Sequence, residues 1–379
     1  MIIGILKENL EFETRVAVTA NIVKNLISSG HKISIEKGAG ESSFISDNDF
    51  NEVGATICDN KNDVFLNADI IFKVNPPDFN ELTLIKNGTT IISFFQIKDQ
   101  KEHLKTYIDK KITLLSMNHI PRTTLAQNMD ALSSQSNIAG YKAVLIGASY
   151  ISKYMPLLMT AAGTIQPSKV LIIGAGVAGL SAIATAKRLG AQVFAFDVRP
   201  VVKEQVESLG AKFIEVETEN VDDGVGDGGY AKETSEEYKK KQGELIKDTI
   251  AKMDLVITTA LIPERPAPIL ITKEMVESMK AGSAIMDLAA PNGGNCENTK
   301  QNEVITFNGV KIDGMTNLPA TMANHASSLY AKNLYNLFSY IYKEEPYELD
   351  LEDEIVSGSM LYNKGNINND TLKNFIDKG

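Results

Sequence analysis

The stretch Lys169–Asp197, KVLIIGAGVAGLSAIATAKRLGAQVFAFD, decides the fold of this chain. It opens with the apolar run Val170–Ile173, turns through a glycine-rich hexapeptide and continues as a helix-like segment to Leu189. A second apolar run then ends at Asp197. A strand, a glycine-rich turn, a helix, a second strand and an acid in this order predict a βαβ unit that binds a dinucleotide. The alternative is a glycine-rich turn without a ligand.

Each glycine of the turn has its own predicted role. Gly174 allows the tight turn, Gly176 lets the backbone approach a pyrophosphate, and Gly179 lets the helix pack closely on the strand. The helix start at Val177 and Ala178 presents N–H groups and the positive end of the helix dipole to the phosphates. All five residues are therefore predicted to bind the cofactor.

Asp197 decides which dinucleotide is expected. Its carboxylate can accept hydrogen bonds from the adenosine ribose and would repel a 2′-phosphate, which favours NAD over NADP. The next two residues, Val198 and Arg199, are predicted to belong to the same cofactor site.

Composition excludes several classes of function. The chain has 379 residues, of which 43% are hydrophobic and 23% charged, as in ordinary globular proteins. Its net charge is −10 without a dense basic block, which argues against binding of nucleic acid or of an anionic membrane surface. The two cysteines, Cys58 and Cys296, suggest neither a disulfide framework nor a zinc cluster. No metal is predicted.

The N-terminus, MIIGILKENLEFETR, lacks the features of a signal peptide. The long charge-free run Val170–Ala186 contains the glycine-rich turn and is too short to span a bilayer. We therefore expect a cytoplasmic chain without direct membrane insertion.

The first ~115 residues alternate between strand and helix patterns, which predicts an open α/β domain. A helix is expected over Val16–Leu26. The strand candidates are Met1–Leu6, Lys32–Glu36, Ala68–Val74, Thr90–Phe95 and Lys111–Leu115.

Further strand candidates follow the glycine-rich unit, and with its two strands they predict a six-stranded, doubly wound parallel sheet. They are Lys212–Val216, Asp254–Thr259, Ala284–Leu288 and Val304–Phe307 with Val310–Ile312. Ligands of such sheets bind beyond the carboxyl ends of the strands. This places Thr259, Ala260 and Leu261 near the cofactor, the alternative being plain loop residues.

Two other stretches stand out. Met129–Met159 predicts one or two long helices with small residues on one face, which favour close helix packing or cofactor approach. Val221–Lys232 is too rich in glycine and aspartate to form a core, and Tyr230 is its only large side chain. It is interpreted as a lid or as an inert exposed insertion.

Residues for proton transfer are not evident. An oxidoreductase that acts on an alcohol or amine needs a general acid or base, usually histidine. None of the four histidines lies in a recognisable acid/base motif, and no metalloprotease, nucleophile-elbow or metal-ligand spacing occurs.

The segment Pro121–Gly140 concentrates polar groups at the start of a helix. Arg122, Gln127, Asp130 and Ser133 could bind a nicotinamide carboxamide, which needs both a donor and an acceptor. The alternative interpretation is a helix N-capping cluster.

Four motifs together carry a family resemblance: RTTLAQNMDALSSQSNIAGYKAV, the glycine-rich stretch, GGYAKE and MDLAAPNGGNCE. With them the chain resembles the NAD(H)-binding component of proton-translocating nicotinamide nucleotide transhydrogenase, in the bacterial form where this piece of the alpha subunit is a separate polypeptide. The resemblance covers essentially the whole chain.

The resemblance implies two Rossmann-like α/β domains with NAD(H) in the cleft between them. Residues 139–312 would form the NAD(H)-binding domain, and residues 1–138 with the helices of 313–379 the other. It further implies a homodimer, and a membrane-anchored partner subunit that holds NADP(H) and carries out proton translocation. The chain would then lie peripherally on the inner face of the cytoplasmic membrane.

The resemblance also implies residue roles. Arg122, Asp130 and Ser133 would orient the nicotinamide of NAD(H), Gln127 would reach the NADP(H) ribose in the partner, and Tyr230 would be the tyrosine of a mobile loop. Hydride passing directly between two nicotinamides needs no general acid or base, so catalysis would rest on proximity.

The chain is also similar to alanine dehydrogenase, which is the alternative function. Arg15 and Lys73 match that family's pattern, but Gln96 stands at the position of its histidine and Pro291 at that of its aspartate. Neither side chain can transfer a proton at neutral pH, so this chemistry is expected to be lost. A non-enzymatic NAD(H) sensor is the third hypothesis.

Overall fold

The computed structural model describes residues 1–97, 103–216, 235–261, 265–343 and 347–377. The chain divides into two compact units: Met1–Gln135 with Ala320–Gly379, and Ser136–Pro319. The sequence predicted limits at 138/139 and 312/313, which differ from these by three and seven residues.

The N-terminal part of the first unit alternates short strands and helices. They are β1 (Ile2–Ile5), α1 (Ala20–Ser28), β2 (Lys32–Glu36), α2 (Asp47–Glu52), β3 (Thr56–Cys58), α3 (Lys61–Asn67), β4 (Ile70–Phe72), α4 (Phe79–Leu84), β5 (Thr90–Ser93), α5 (Leu104–Asp109) and β6 (Thr113–Ser116).

The long helix α6 follows, and the second unit then continues the alternation. Helix α6 (Ala131–Tyr150) begins in the first unit and continues into the second. The other elements of the second unit are β7 (Leu158–Thr160), β8 (Gly163–Ile165), β9 (Lys169–Ile173), α7 (Val177–Arg188), β10 (Gln192–Phe196), α8 (Lys203–Ser208), β11 (Lys212–Ile214), α9 (Glu236–Ile250), β12 (Leu255–Thr258), α10 (Lys273–Ser278), β13 (Ala284–Asp287), β14 (Val304–Phe307) and β15 (Val310–Asp313).

The C-terminal segment returns to the first unit. It consists of α11 (Ala323–Ile341), α12 (Glu354–Ser359), β16 (Met360–Asn363), β17 (Asn366–Ile367) and α13 (Asp370–Asp377).

Each unit is built on one large sheet. The first has the order β17-β16-β6-β5-β4-β1-β2-β3, in which β1 to β6 are parallel and β16 and β17 add an antiparallel edge. The second has the order β11-β10-β9-β12-β13-β15-β14. The predicted α/β class with two Rossmann-like sheets is confirmed.

The second sheet has seven strands where the sequence predicted six. Six of its strands are parallel to one another: β11, β10, β9, β12, β13 and β15. The seventh strand, β14, pairs antiparallel with β15. Asn308 and Gly309 join them with φ of 49° and 77°. Positive φ at both central residues is the geometry of a two-residue hairpin, which Asn-Gly favours. The two runs that the sequence counted as one strand are therefore a hairpin.

The stretch Met129–Met159 is only partly helical. Helix α6 ends at Tyr150, and β7 and β8 then form a hairpin. Pro156 lies between the helix and the hairpin. Since proline cannot donate to a helix and disfavours helical backbone at the preceding residue, the helix cannot run through this position.

Alternate residues of β9 face two cores, which is why this strand is an uninterrupted apolar run. Val170 and Ile172 pack in one core with residues of α6 and α7, whereas Leu171 and Ile173 pack in the other with residues of α9 and α10. All four side chains are buried. A strand covered on both faces has no polar side, so its hydrophobicity does not alternate.

Two glycines of α6 allow its close approach within the second unit. A Cβ at Gly140 would lie 2.0 Å from the carbonyl oxygen of Ala178 in α7, and one at Gly147 would lie 2.6 Å from Leu255 in β12. The small residues noted in this helix therefore serve packing. Among the residues described, no helix is both long and apolar enough to cross a membrane.

Gly140→Ala should lower the free energy of unfolding by roughly 1–3 kcal/mol, because the added methyl group forces two helix backbones apart. Urea denaturation measures the change. Gly243→Ala in α9 is the matched control, since a Cβ there meets nothing within 4 Å. We expect this control to be neutral or slightly stabilising. Equal losses in both variants would contradict the packing role of Gly140.

Candidate nucleotide-binding site

The direction in which successive strands are added to the second sheet reverses at β9. The chain runs outward from β9 to β10 and β11 and then returns to β12 on the other side of β9. Backbone hydrogen bonds join the ends of these strands. Gly174, just after β9, donates from its N–H to Phe196 O at the end of β10 (2.8 Å), and Thr259, just after β12, donates to Ile173 O at the end of β9 (2.8 Å). Such a switch point is where doubly wound sheets bind ligands.

The three glycines of the turn lie in different surroundings. Gly174 has a φ of 98°, which favours glycine, and a Cβ there would lie 2.5 Å from Thr259 Oγ1. A Cβ at Gly179 would lie 1.9 Å from Gly174 O, so the helix can pack only without it. Gly176 differs, because its φ is −74° and a Cβ would meet only Arg199, at 3.9 Å. Neither backbone conformation nor internal packing requires glycine at 176. The approach of a pyrophosphate to this residue stays a prediction.

Asp197 follows β10 and is buried, with a relative exposure of 7%. Its Oδ2 accepts from Ala175 N–H in the glycine-rich turn (2.7 Å), and its Oδ1 accepts from Arg199 N–H (2.8 Å). Arg199 also chelates the carboxylate through Nε (2.9 Å) and Nη2 (2.8 Å). The Asp197 carboxylate raises the pKa of Arg199 by hydrogen bonding. Asp197 thus connects the end of β10 to the glycine-rich turn after β9.

The loop after β12 is held by a residue that the sequence did not single out. The Asn295 side chain accepts from Ala260 N–H (3.0 Å) and donates to Ala260 O (2.9 Å) and Pro268 O (2.8 Å). Thr259 Oγ1 donates to Gly174 O (3.0 Å), so the loop also contacts the glycine-rich turn. Leu261 leaves its side chain 39% exposed.

Asp287, at the end of β13, supports this arrangement. Its Oδ2 accepts from the backbone N–H groups of Asn295 (2.8 Å) and Cys296 (3.0 Å), and its Oδ1 accepts from Thr258 Oγ1 (2.9 Å). Asp287 therefore orders the loop that carries Asn295. The stretch MDLAAPNGGNCE contains both residues, but only the tertiary contacts reveal their role.

The predicted residues Gln127, Asp130 and Ser133 lie close in sequence in the first unit, the first two in the turn before α6 and Ser133 in the first turn of that helix. Gln127 is exposed at the start of a 3-10 turn, Gln127–Met129. Asp130 accepts from Ser133 N–H (2.9 Å) and Ser133 Oγ (2.6 Å). The capping interpretation therefore holds for this pair. Arg122 is exposed nearby in sequence.

Two asparagines of α11 anchor this turn, and the sequence did not single them out either. Asn333 Nδ2 (2.9 Å) and Asn336 Nδ2 (2.8 Å) both donate to the carbonyl oxygen of Asn128, next to Gln127. Asn333 Oδ1 accepts from Ser134 Oγ (2.8 Å). The backbone next to Gln127 is thus fixed by two donors.

The other predicted site residues have these positions. Val177 is the first residue of α7 and is 40% exposed, and Ala178 and Val198 are half-buried. Tyr230 lies outside the described residues. No group of three or more His, Cys, Asp or Glu side chains suited to a metal ion occurs in the described ranges.

Arg15 and Lys73, the basis of the alanine dehydrogenase alternative, are both buried and paired within the first unit. Arg15 binds Glu13 through Nε (2.8 Å) and Nη2 (2.7 Å) and Gln135 through Nη1 (2.9 Å). Burial raises the pKa of Glu13, but the bonds from Arg15 outweigh it and lower that pKa.

Lys73 lies between two carboxylates. Its Nζ is 3.2 Å from Glu81 Oε1 and 3.8 Å from Glu8 Oε2, and its side chain is fully buried. Burial lowers the pKa of Lys73, but these two carboxylates outweigh burial and raise it. Burial raises the pKa of Glu8 despite the Lys73 charge. The charge of Arg15 is therefore balanced by Glu13, and that of Lys73 by Glu8 and Glu81.

Sequence comparison assigns the chain to a known family. Residues 4–139 match the alanine dehydrogenase/PNT N-terminal domain and residues 143–370 its C-terminal domain. The chain is 45% identical over 374 residues to an NAD(P) transhydrogenase alpha-subunit polypeptide of Rhodospirillum rubrum, covering 97% of each chain. The chain belongs to the alanine dehydrogenase/PNT family, among the NAD(P) transhydrogenase alpha subunits.

Other members of the alanine dehydrogenase/PNT family agree with this placement. A crystal structure of a transhydrogenase from Sinorhizobium meliloti superposes with a TM-score of 0.85 at 39% identity, covering 98% of this chain and 100% of the other. The alanine dehydrogenase of Methanococcus maripaludis is 30% identical, covering 87% of this chain and 84% of its own length. The resemblance to the transhydrogenase alpha subunits is thus confirmed, with alanine dehydrogenase as a related branch.

Lys73→Met should lower the free energy of unfolding by about 3–5 kcal/mol at neutral pH, because it leaves two buried carboxylates without their cation. The loss should shrink as the pH falls toward 4.5, the ordinary carboxyl pKa. The reason is that a carboxyl whose folded pKa is raised stabilises the fold below its unfolded pKa and loses that contribution as the pH rises through the folded pKa.

Urea denaturation at neutral and mildly acidic pH measures both effects. Lys37→Met removes the ammonium of an exposed pair with Asp59 (2.7 Å) and serves as the matched control, with no measurable change expected. If the free energy of unfolding lost in Lys73→Met did not depend on pH, the argument that the variant leaves two buried carboxylates without their cation would be contradicted.

Proposed function

We propose that this chain is the NAD(H)-binding component of a proton-translocating NAD(P) transhydrogenase. It exchanges hydride with NADP(H) held by a partner subunit. The observation that carries the proposal is the open space at Gly176. This glycine is required neither by φ nor by packing, and it precedes the start of α7, where it provides no side-chain cap to the first N–H groups. A dinucleotide pyrophosphate fits that space and that charge.

The ADP half of NAD(H) is assigned to the second unit. Gly174, Gly176 and Gly179 shape the turn, and the backbone at Val177 and Ala178 receives the phosphates. The Asp197 carboxylate receives the adenosine ribose, flanked by Val198 and Arg199. Thr259, Ala260 and Leu261 border the same edge of the sheet. Binding here requires no metal ligand.

The nicotinamide half is assigned through the family resemblance. Arg122, Asp130 and Ser133 orient the carboxamide of NAD(H), and Gln127 contacts the NADP(H) ribose of the partner subunit. The anchoring of this turn by Asn333 and Asn336 supports the assignment. Direct hydride transfer requires the two nicotinamide rings to be held in contact, so the backbone that carries Gln127 has to keep its position. The resemblance assigns Tyr230 to the same nucleotide, NAD(H).

Proton chemistry is not needed for this reaction. A hydride that passes directly between two nicotinamides leaves no proton to be taken up by a side chain, and the protein contributes orientation and exclusion of water. The non-titratable residues Gln96 and Pro291 are consistent with this reaction. They are not consistent with oxidation of an amine, which requires a general base.

Alanine dehydrogenase activity is the less favoured function. A carboxylate substrate would need a cation to bind, yet Arg15 and Lys73 are held by Glu13, Glu8 and Glu81. Binding of such a substrate would have to break buried ion pairs. The transhydrogenase assignment makes no use of either cation.

The proposed partners follow from the subunit assignment. The chain associates with a membrane-anchored subunit that binds NADP(H), and proton translocation belongs to that subunit. It lies on the inner face of the cytoplasmic membrane through this partner, and it forms a homodimer.

The reconstituted reaction tests the proposal. The purified chain is mixed with an NADP(H)-binding partner domain, and reduction of an NAD analogue by NADPH is followed. We expect a rate far above that of the partner domain alone, and no NAD-dependent oxidation of alanine. A mixture that is no faster than the partner alone would rule out the transhydrogenase assignment. Alanine oxidation that Lys73→Ala abolishes would favour the alternative.

Gln127→Asn separates the two nucleotides. Shortening this side chain should slow hydride transfer at least about tenfold while the Kd for NADH stays nearly constant, because Gln127 is assigned to NADP(H). Single-turnover kinetics and NADH titration measure the two quantities. Gln205→Asn makes the same change at an exposed position of α8 and should affect neither. A large rise in the NADH Kd would contradict the assignment, and an unchanged transfer rate would favour a sensor.

A further inference from the structure

The carboxylate of Asp197 is already saturated by protein donors. Two backbone N–H groups, from Ala175 and Arg199, and two N–H groups of the Arg199 guanidinium bind its two oxygens at 2.7–2.9 Å. A carboxylate offers about four acceptor positions. A ribose hydroxyl that donates to Asp197 therefore has to share a position with Arg199 or replace it.

Arg199 lies beside Asp197, the residue to which the proposed function assigns the adenosine ribose. Its side chain is 16% exposed, and its Nε and Nη2 atoms both donate to the Asp197 carboxylate. Nη2 also lies 3.9 Å from the place that a Cβ atom would take if one were added at Gly176. The guanidinium thus spans the acid and the glycine-rich turn. A planar fork of N–H donors is the geometry that binds phosphate oxygens bidentately.

The charges of the pair largely cancel. A carboxylate and a guanidinium in contact present little net charge to a phosphate that approaches them, so repulsion by Asp197 alone is a weak barrier. The stronger barrier is that the Arg199 fork is already engaged. Selection for NAD(H) would then depend on the ion pair as a unit rather than on the acid alone.

We propose that Arg199 is a specificity-determining residue, a latent binding group for a 2′-phosphate that Asp197 keeps engaged. This inference rests on the proposed function, because it assumes that the adenosine ribose of NAD(H) binds at Asp197. It predicts that removal of the carboxylate relaxes selectivity by freeing the Nε and Nη2 donors of Arg199 that now bind Asp197, and that the relaxation requires the guanidinium.

A double-mutant cycle on the full chain tests the inference. The Kd values for NADH and NADPH are measured at constant ionic strength for the wild type, Asp197→Ser, Arg199→Ala and the double variant. The chain contains no tryptophan, so the fluorescence of the reduced nucleotides is read without that background. Lys203→Ala is the control, since it removes a nearby cation that binds Glu215 (2.6 Å) instead of Asp197.

Asp197→Ser should tighten NADPH binding at least about tenfold relative to NADH, the size of a charge-assisted hydrogen bond. The double variant should lose this gain. Arg199→Ala alone should weaken NADPH relative to NADH several-fold, because the carboxylate is then left without its counter-ion. Lys203→Ala should leave the ratio unchanged.

A gain in NADPH binding that persists in the double variant would overturn the inference, as would an unchanged ratio in Arg199→Ala. Circular dichroism checks folding, because Asp197 also holds the turn at Ala175. If Asp197→Ser unfolds, the Arg199→Ala ratio decides. Failure of the wild type to bind NADH would instead refute the proposed function on which the inference rests.

Discussion

Backbone packed directly against backbone is the constraint on which the second unit depends. Gly179 in α7 lies against the carbonyl of Gly174, and Gly140 in α6 lies against the carbonyl of Ala178, in each case with no room for a methyl group. These contacts fix the start of α7 against the end of β9. The N–H groups of that helix start are consequently held at the switch point of the sheet, where a phosphate gains most from a rigid set of donors.

Around this point, polar side chains bond to backbone groups of other loops rather than to solvent. Asp197 ties β10 to the turn through Ala175, Thr259 ties β12 to Gly174, and Asn295 holds Ala260. Buried polar groups that are fully bonded define one arrangement, because any alternative leaves a donor or acceptor unpaired. The edge of the sheet at which we propose that the nucleotide binds is therefore held in one arrangement.

The first unit shows how one fold can serve two chemistries. The cations that the alanine dehydrogenase pattern shares with this chain, Arg15 and Lys73, remain in place but are enclosed by Glu13, Glu8 and Glu81. Buried ion pairs of this kind contribute specificity of structure more readily than net stability. Together with Gln96 and Pro291, they favour a chain in which the nucleotide is the substrate and not a cofactor for a small acid.

The sequence by itself determined the α/β class, the strand and helix of the nucleotide unit, and Asp197 at the end of β10, because apolar periodicity and glycine spacing are local properties. It also contains Asn308-Gly309, the signal of the hairpin that joins β14 to β15. Only the tertiary structure decided that Asn333 and Asn336 hold Asn128, that Asn295 holds Ala260, and that Arg199 turns its fork onto Asp197. The first three contacts join distant parts of the chain and the fourth depends on a side-chain rotamer, and neither distance nor rotamer is encoded in local periodicity.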